Sequence, residues 1–294
     1  MDARRRFSRR TAIKAAGALA ATGIARGADA QIATSSTGKP KTRECIWIPT
    51  TDGQFCCGMI HRPAEIRDKV PAALILHDRV GSKDQPHRLL VSLADALAAA
   101  GHIAMRFDLR GRGDSEGESI DATPQRDLTD TRAALAMLRN EPGVDTTNIS
   151  AIGFGYGGTI LAELCGESIA IKRIALWSCC PTDNENFKPI MEDHNGREVS
   201  DQLGSLLSSD FFEGVAALTP ASALKKNRQP VFMVYGTRDA NTRQDAYETA
   251  RSELAFADVD AKSLIIQNAD HDFSTNAASQ EAIEKTIAWI REKA

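Results

Sequence analysis

A glycine-rich turn between an apolar strand and a helix is the first segment of the sequence to which chemistry can be assigned. Residues 149–158 are Ile-Ser-Ala-Ile-Gly-Phe-Gly-Tyr-Gly-Gly, so Gly153, Gly155 and Gly158 satisfy the pattern G-x-G-x-x-G. Glycines at this spacing let a backbone approach a pyrophosphate at a helix N-terminus. A dinucleotide site also needs an acidic residue at the end of the next strand, about 20 positions later. That strand ends in Ser-Cys-Cys at 178–180, which disfavours the nucleotide interpretation.

The same turn, Gly-Phe-Gly-Tyr-Gly at 153–157, resembles the G-x-S-x-G nucleophile elbow of the α/β-hydrolase family, with glycine in place of the serine. Further segments resemble that family in order and spacing from about Cys45 to the C-terminus. They are the oxyanion loop at 76–82, the next strand and loop at 106–117, the acid-bearing strand end at 235–239 and the base-bearing loop at 268–273. Within the superfamily, the chain resembles the dienelactone-hydrolase and serine-aminopeptidase-like branch.

The resemblance implies a role for each matching residue. His271 would be the general base and Asp239 the acid that orients it, with Asp183 as a weaker alternative acid. The backbone N–H groups of Tyr156 and Arg79 would form the oxyanion hole.

Two departures from the family pattern affect the expected chemistry. Gly155 carries no nucleophile, so an acyl-enzyme cannot form there, although glycine adopts the strained elbow conformation without steric cost. Asp78 stands where the family usually has glycine, which places a carboxylate, and a possible substrate contact, beside the oxyanion hole. Its charge would oppose an oxyanion unless Arg79 or Arg110 neutralises it.

Four functions remain open at this point. His271 and Asp239 could activate a water molecule, lodged in the space left by the missing side chain, to hydrolyse an ester, thioester or lactone. The same pair could act as a base in a lyase, isomerase or cyclase. A displaced nucleophile could come from Ser178, Cys179 or Cys180. The chain could also be a non-catalytic periplasmic binding protein. We expect the first, because both residues of the pair are present.

The elements that position these residues alternate between strand and helix. Buried strands separated by helices need crossover connections, which predicts an α/β fold with a doubly wound, mostly parallel sheet. The polar interval 183–226 interrupts the alternation and is predicted to be a small lid-like insertion at the carboxyl edge of the sheet. Strands are predicted at 45–49, 55–61, 72–77, 102–109, 149–154, 173–178, 231–235 and 263–267, and helices at 89–100, 124–139, 157–164 and 282–293.

The N-terminal segment is predicted to be an export signal rather than part of the fold. Ser-Arg-Arg-Thr-Ala-Ile-Lys at 8–14 resembles the twin-arginine signal, and Ala-Asp-Ala at 28–30 offers a cleavage site. The expected organisation is a signal peptide at 1–30, a linker at 31–42 and one hydrolase domain at 43–294. The mature protein is accordingly expected in the periplasm or outside the cell.

Composition limits the partners. The 294 residues include 42% hydrophobic residues, which excludes a disordered chain, and the net charge of −3 excludes nucleic acid as the main partner. No apolar run is long enough to span a membrane. The six cysteines fit an oxidising compartment, but none shows zinc-site spacing. A small-molecule substrate or ligand is expected, with no cofactor and no metal.

Overall fold

The computed structural model describes residues 42–292, apart from 168–170, 184–188 and 243. The predicted signal peptide at 1–30 and nearly all of the linker at 31–42 lie outside the described residues. Within the described part of the chain, no helix is both long and apolar enough to cross a bilayer.

The centre of the domain is an eight-stranded sheet in the order β1-β2-β4-β3-β5-β6-β10-β11. The pairs β1-β2 and β2-β4 are antiparallel, and every other neighbouring pair is parallel. A separate three-stranded antiparallel sheet has the order β7-β8-β9. The strands are β1 (Arg43–Pro49), β2 (Phe55–His61), β3 (Val70–Leu76), β4 (Ile103–Phe107), β5 (Val144–Phe154), β6 (Arg173–Trp177), β7 (Glu192–His194), β8 (Arg197–Gln202), β9 (Ser205–Ser208), β10 (Val231–Gly236) and β11 (Ala261–Ile266).

Helices cover both faces of the large sheet. Strand β3 shows why its sequence is continuously apolar: Leu74 and Leu76 enter one core cluster, while Ala73 and Ile75 enter the other. Helices α1 and α7 pack on the second cluster, and α2, α3 and α6 pack on the first. This arrangement confirms the predicted doubly wound α/β class. The helices are α1 (Leu89–Ala99), α2 (Pro124–Asn140), α3 (Tyr156–Cys165), α4 (Ser209–Ala216), α5 (Pro220–Asn227), α6 (Gln244–Phe256) and α7 (Asn276–Ile290).

The structure extends or adds elements where the sequence pattern was weakest. Strand β5 begins at Val144 rather than at 149. The sequence pattern missed this start because residues 145–148 are polar and none of them is fully buried. Helix α6 was not predicted, since only Tyr247 and Leu254 of its thirteen residues are buried. Helix α7 begins at Asn276, where the Thr275 side chain accepts a hydrogen bond from the N–H of Ala278.

The predicted insertion at 183–226 contains the small sheet, helix α4 and all but the last residue of helix α5. Its apolar residues Leu207, Phe211 and Phe212 are buried. The Phe211 ring lies 5.2 Å from the ring of Tyr156, the residue at which α3 begins. The insertion is therefore anchored beside the glycine-rich turn, and its action as a lid remains a prediction.

Candidate active site

The turn between β5 and α3 consists of the single residue Gly155. Its backbone angles, φ +52° and ψ −126°, lie in a region that side chains rarely adopt. The N–H of Gly155 donates to the carbonyl of Trp177 on the neighbouring strand β6 (2.9 Å). The turn also needs close backbone approach, because a Cβ atom at Gly157 would lie 2.4 Å from the carbonyl oxygen of His77. These contacts place the N-terminus of α3 against the loop that follows β3.

Asp239 and His271 meet at the same edge of the sheet. Asp239 follows β10 and His271 follows β11, and these two strands are parallel neighbours. His271 Nδ1 lies 3.1 Å from both carboxylate oxygens of Asp239. The buried carboxylate is also held by the N–H of Asn241 (2.8 Å) and the hydroxyl of Tyr247 (2.8 Å). The structure thus brings together the two residues that the resemblance paired.

The backbone N–H groups of Tyr156 and Arg79 converge on one oxygen atom, which belongs to Asp78. Each donates to Asp78 Oδ1 at 2.7 Å. Two convergent N–H donors form the arrangement that stabilises an oxyanion. In this structure, the carboxylate of the chain itself receives both hydrogen bonds.

Asp78 also fills the volume that an elbow side chain would take. A Cβ atom built on Gly155 would lie 2.4 Å from Asp78 Oδ1 and 2.6 Å from its Cγ. The space predicted for an attacking water is therefore occupied by the Asp78 carboxylate. Glycine at 155 and aspartate at 78 are two parts of one arrangement, because any larger residue at 155 would overlap the carboxylate.

Arg110, one of the two arginines considered for neutralising Asp78, makes its ion pairs with other carboxylates. Arg110 Nε donates to Asp130 (2.6 Å), and its guanidinium also pairs with Asp52. The positive group facing Asp78 is His271, whose Nε2 lies 3.9 Å from Asp78 Oδ2. That nitrogen is buried and has no hydrogen-bond partner among the described residues.

Electrostatics make His271 a cation at neutral pH. Burial disfavours the charged ring, but the hydrogen-bonding contact with Asp239 and the charge attraction of Asp239 and Asp78 outweigh it and raise the pKa of His271 to about 10. Burial likewise opposes ionisation of Asp78, but contacts from His271 and from the two N–H groups lower its pKa. The pKa of Asp239 is also lowered, because the contact with His271 outweighs burial. The resting site is an imidazolium between two carboxylates, and it must lose a proton before it can act as a base.

The residues predicted as an alternative acid or as displaced nucleophiles make other contacts in the structure. Asp183 accepts hydrogen bonds from the N–H (3.1 Å) and hydroxyl of Ser222 rather than from His271. Ser178 Oγ donates to the backbone carbonyl of His271 (2.6 Å), so it supports the loop that carries the imidazole. Cys179 Sγ lies 3.8 Å from Thr159 Oγ1, and Cys180 Sγ contacts the carbonyl of Ala246 (3.4 Å).

A buried ion pair that the sequence pattern does not predict supports Tyr156. Its hydroxyl donates to Asp127 Oδ2 (2.8 Å), and Arg112 donates to both oxygens of the same carboxylate (2.7 and 3.1 Å). Asp127 lies in the first turn of α2. Acidic residues are common there because they interact favourably with the helix dipole, so this residue type gives no sign of a buried ion pair. The network holds the residue that presents one of the two site amides.

One cluster of potential metal ligands lies apart from this site. Cys57, Asp108 and Asp114 offer ligand atoms within 4.8 Å of one another. The Lys83 ammonium lies 2.6 Å from Asp108 and 2.7 Å from Asp114, so a side-chain cation already balances these carboxylates. Burial raises the pKa of the Cys57 thiol to about 12, which disfavours a metal-binding thiolate.

Known proteins resemble the chain in both fold and sequence. A putative dienelactone hydrolase from Klebsiella pneumoniae superposes with a TM-score of 0.62 at 18% identity, covering 85% of this chain and 98% of that one. Est1E from Butyrivibrio proteoclasticus, with ferulic acid bound, superposes with a TM-score of 0.68 at 20% identity, covering 84% and 100%. These likenesses establish a shared fold.

A curated relative, the quorum-quenching protein AidA of Acinetobacter baumannii, is 27% identical over 164 residues. That alignment covers 52% of this chain and 51% of the relative, so the two are matched over about half of their lengths. The family model that describes the prolyl oligopeptidase family (Peptidase_S9) matches residues 92–294, which include the turn, Asp239 and His271. The chain is a member of this α/β-hydrolase family.

Proposed function

We propose that the chain is an esterase-like hydrolase in which His271 and Asp239 activate water directly, without an acyl-enzyme at residue 155. The observation that carries the proposal is the contact of His271 Nδ1 with both Asp239 oxygens at 3.1 Å, with Nε2 on the side of Asp78 and the two N–H donors. Esters, thioesters and lactones are the substrate classes, since each develops a negative oxygen when water attacks.

The hydrolytic cycle starts with displacement of Asp78. The substrate carbonyl oxygen takes the place of Asp78 Oδ1 on the N–H groups of Tyr156 and Arg79. With that carboxylate removed, the pKa of His271 falls and the ring loses its proton to solvent. Neutral His271 then takes a proton from water as the water oxygen bonds to the carbonyl carbon. Collapse breaks the bond to the leaving group, which receives the proton from His271.

A hydrolase assay with matched variants tests the proposal. We expect His271→Ala to lower hydrolysis of p-nitrophenyl butyrate, a butyryl thioester or γ-butyrolactone by at least about a hundredfold, the contribution typical of a general base. Asp183→Asn, which removes the alternative acid, should leave the rate unchanged. The kcat/KM of the wild type should rise with pH towards the His271 pKa of about 10, because the free enzyme must lose that proton. Equal rates for wild type and His271→Ala would refute the proposal.

A binding function is the second candidate, and the occupied donors favour it. A site whose two N–H groups already hold Asp78 is closed to a substrate carbonyl until that carboxylate moves. The binding function predicts that His271→Ala keeps ligand affinity and that no substrate is turned over. Base-only lyase, isomerase or cyclase chemistry would use the same pair, and His271 would have to lose its proton for it as it does for hydrolysis.

Export through the twin-arginine route is part of the proposal. The pattern Ser-Arg-Arg-Thr-Ala-Ile-Lys at 8–14 and the small residues at 28–30 support it. Replacing Arg9 and Arg10 together by lysine should retain the full-length protein in the cytoplasm, as measured by fractionation and by the mass of the chain. Unchanged export of the double variant would refute this route.

A further inference from the structure

The carboxylate of Asp78 has the geometry of a nucleophile. Its Oδ1 atom is held by two N–H donors, and its Oδ2 atom faces His271 Nε2 at 3.9 Å. The side chain is 23% exposed, so a reactant can approach it. The structure uses Gly155 to make room for this group, since a Cβ atom there would lie 2.6 Å from Asp78 Cγ.

The N–H groups of Tyr156 and Arg79 are occupied by Asp78 Oδ1, and this limits the electrophiles that the carboxylate can attack. Attack on an acyl carbonyl creates an oxyanion on the substrate, which would need the two N–H groups that Asp78 Oδ1 holds. Attack on a saturated carbon creates no oxyanion on that carbon, because the electron pair leaves with the departing group. While Asp78 stays on these donors, the site therefore favours substitution at saturated carbon, whereas attack on an acyl carbonyl requires Asp78 to move as in the proposed function.

We propose that Asp78 is a catalytic nucleophile towards saturated carbon atoms that carry a halide or an epoxide oxygen, and that the chain hydrolyses such compounds through an ester of Asp78. The proposal rests on the proposed function in one respect, the activation of water by His271 and Asp239. It differs in the ester that this water attacks, which is formed on the enzyme itself.

The first step forms one bond and breaks one bond. Oδ2 bonds to the substrate carbon as the carbon–halogen bond breaks and halide departs with its electron pair. For an epoxide, the carbon–oxygen bond breaks and the proton on His271 Nε2 neutralises the developing alkoxide. Alkylation removes the negative charge of Asp78, so the pKa of His271 falls; in the halide reaction the ring then releases its proton to solvent.

The second step regenerates the carboxylate. Neutral His271 takes a proton from water as the water oxygen bonds to Asp78 Cγ, and the oxyanion forms on Oδ1, where the N–H groups of Tyr156 and Arg79 already point. Collapse breaks the bond between Cγ and Oδ2, and the alcohol leaves with Oδ2 and with the proton from His271. The new carboxylic acid of Asp78 then protonates His271. The sum for a halide is R–X + H₂O → R–OH + HX, and an epoxide yields a diol.

Isotope labelling identifies the attacked atom. In a single turnover of full-length wild type with 1-bromobutane or 1,2-epoxyhexane in H₂¹⁸O, the proposal expects ¹⁸O in the Asp78 carboxylate and ¹⁶O in the newly formed hydroxyl. Peptide mass spectrometry locates the label. Direct attack of water on the substrate would put ¹⁸O in the product hydroxyl at the first turnover, and that result would overturn the proposal.

Trapping gives a second, independent measurement. His271→Gln lacks the base for the second step and should accumulate 1-bromobutane as a butyl adduct on the peptide that contains Asp78. Adding Asp78→Asn to His271→Gln keeps an acceptor oxygen for the two N–H groups and should abolish the adduct. Asp183→Asn alone should turn over like the wild type. No adduct on folded His271→Gln and no label in wild-type Asp78 would overturn the proposal.

The ester assay separates this inference from the proposed function. Hydrolysis of p-nitrophenyl butyrate that depends on His271, without label or adduct on Asp78 from either alkyl probe, would retain the proposed function and overturn the inference. Label in Asp78 with no hydrolysis of free esters would support the inference and refute acyl hydrolysis.

Discussion

Replacing Asp78 by asparagine should lower the pKa of His271 by roughly one to three units, because an opposite charge at this range shifts a pKa by that amount. The wild-type value of about 10 rests partly on Asp78 Oδ2, 3.9 Å from Nε2. At an effective dielectric constant of about 20, two unit charges at this distance attract by about 4 kcal/mol, or about three pKa units. Salt and the partial exposure of both side chains reduce this upper value.

NMR titration of the imidazole nitrogens measures this shift directly. The chain has six histidines, so the His271 signals are assigned by their loss in His271→Gln. Asp183→Asn is the matched control, since it also removes one carboxylate but one that contacts Ser222. The reasoning is refuted if the pKa of His271 in Asp78→Asn equals that of the control.

The free energy of unfolding should depend on pH through the positive charge of His271, and it should fall as that charge is lost. The folded-state pKa of His271 is raised from 6.5 to about 10, so its contribution is complete below about pH 6.5 and is lost as the pH rises through 10. In Asp78→Asn the loss should occur at lower pH. Urea unfolding at a series of pH values measures both curves.

Three further substitutions test the packing of the site. Gly155→Ser should destabilise the fold by at least about 1–3 kcal/mol, because its φ of +52° strains a side chain and its Cβ would overlap Asp78; adding Asp78→Gly should recover part of the loss in urea melts, and simple additivity would contradict the overlap. Asp127→Asn should cost about 3–5 kcal/mol, since it leaves the buried Arg112 guanidinium without its charged partner; a change within about 0.5 kcal/mol in urea unfolding would contradict that. Thr123→Ala should cost about 1 kcal/mol through loss of the helix cap on α2, and an unchanged urea midpoint would show that the cap contributes nothing.

Local patterns were sufficient to predict most of the central sheet. Strands such as β3 are continuously apolar because both faces are covered, and such runs stand out in a sequence. Helix α6 and the small sheet β7–β9 were missed because they bury few apolar side chains and leave little periodicity to detect. Their positions depend on packing against parts of the chain that are distant in sequence.

The sequence by itself determined the fold class and the glycine at the elbow, and its resemblance to the α/β-hydrolase family implied the pairing of His271 with Asp239. In the structure, the parallel strands β10 and β11 bring these two residues to one edge of the sheet. Tertiary structure alone decided where the Asp78 carboxylate lies and which cation faces it. Asp78 lies in the loop after β3, and its side chain reaches the N-terminus of α3 only once β3 and β5 are paired. The Tyr156 N–H group that donates a hydrogen bond to Asp78 is 78 residues away in the sequence. The charge state of His271 follows from that contact, since it is set by distances and burial that residue types do not specify.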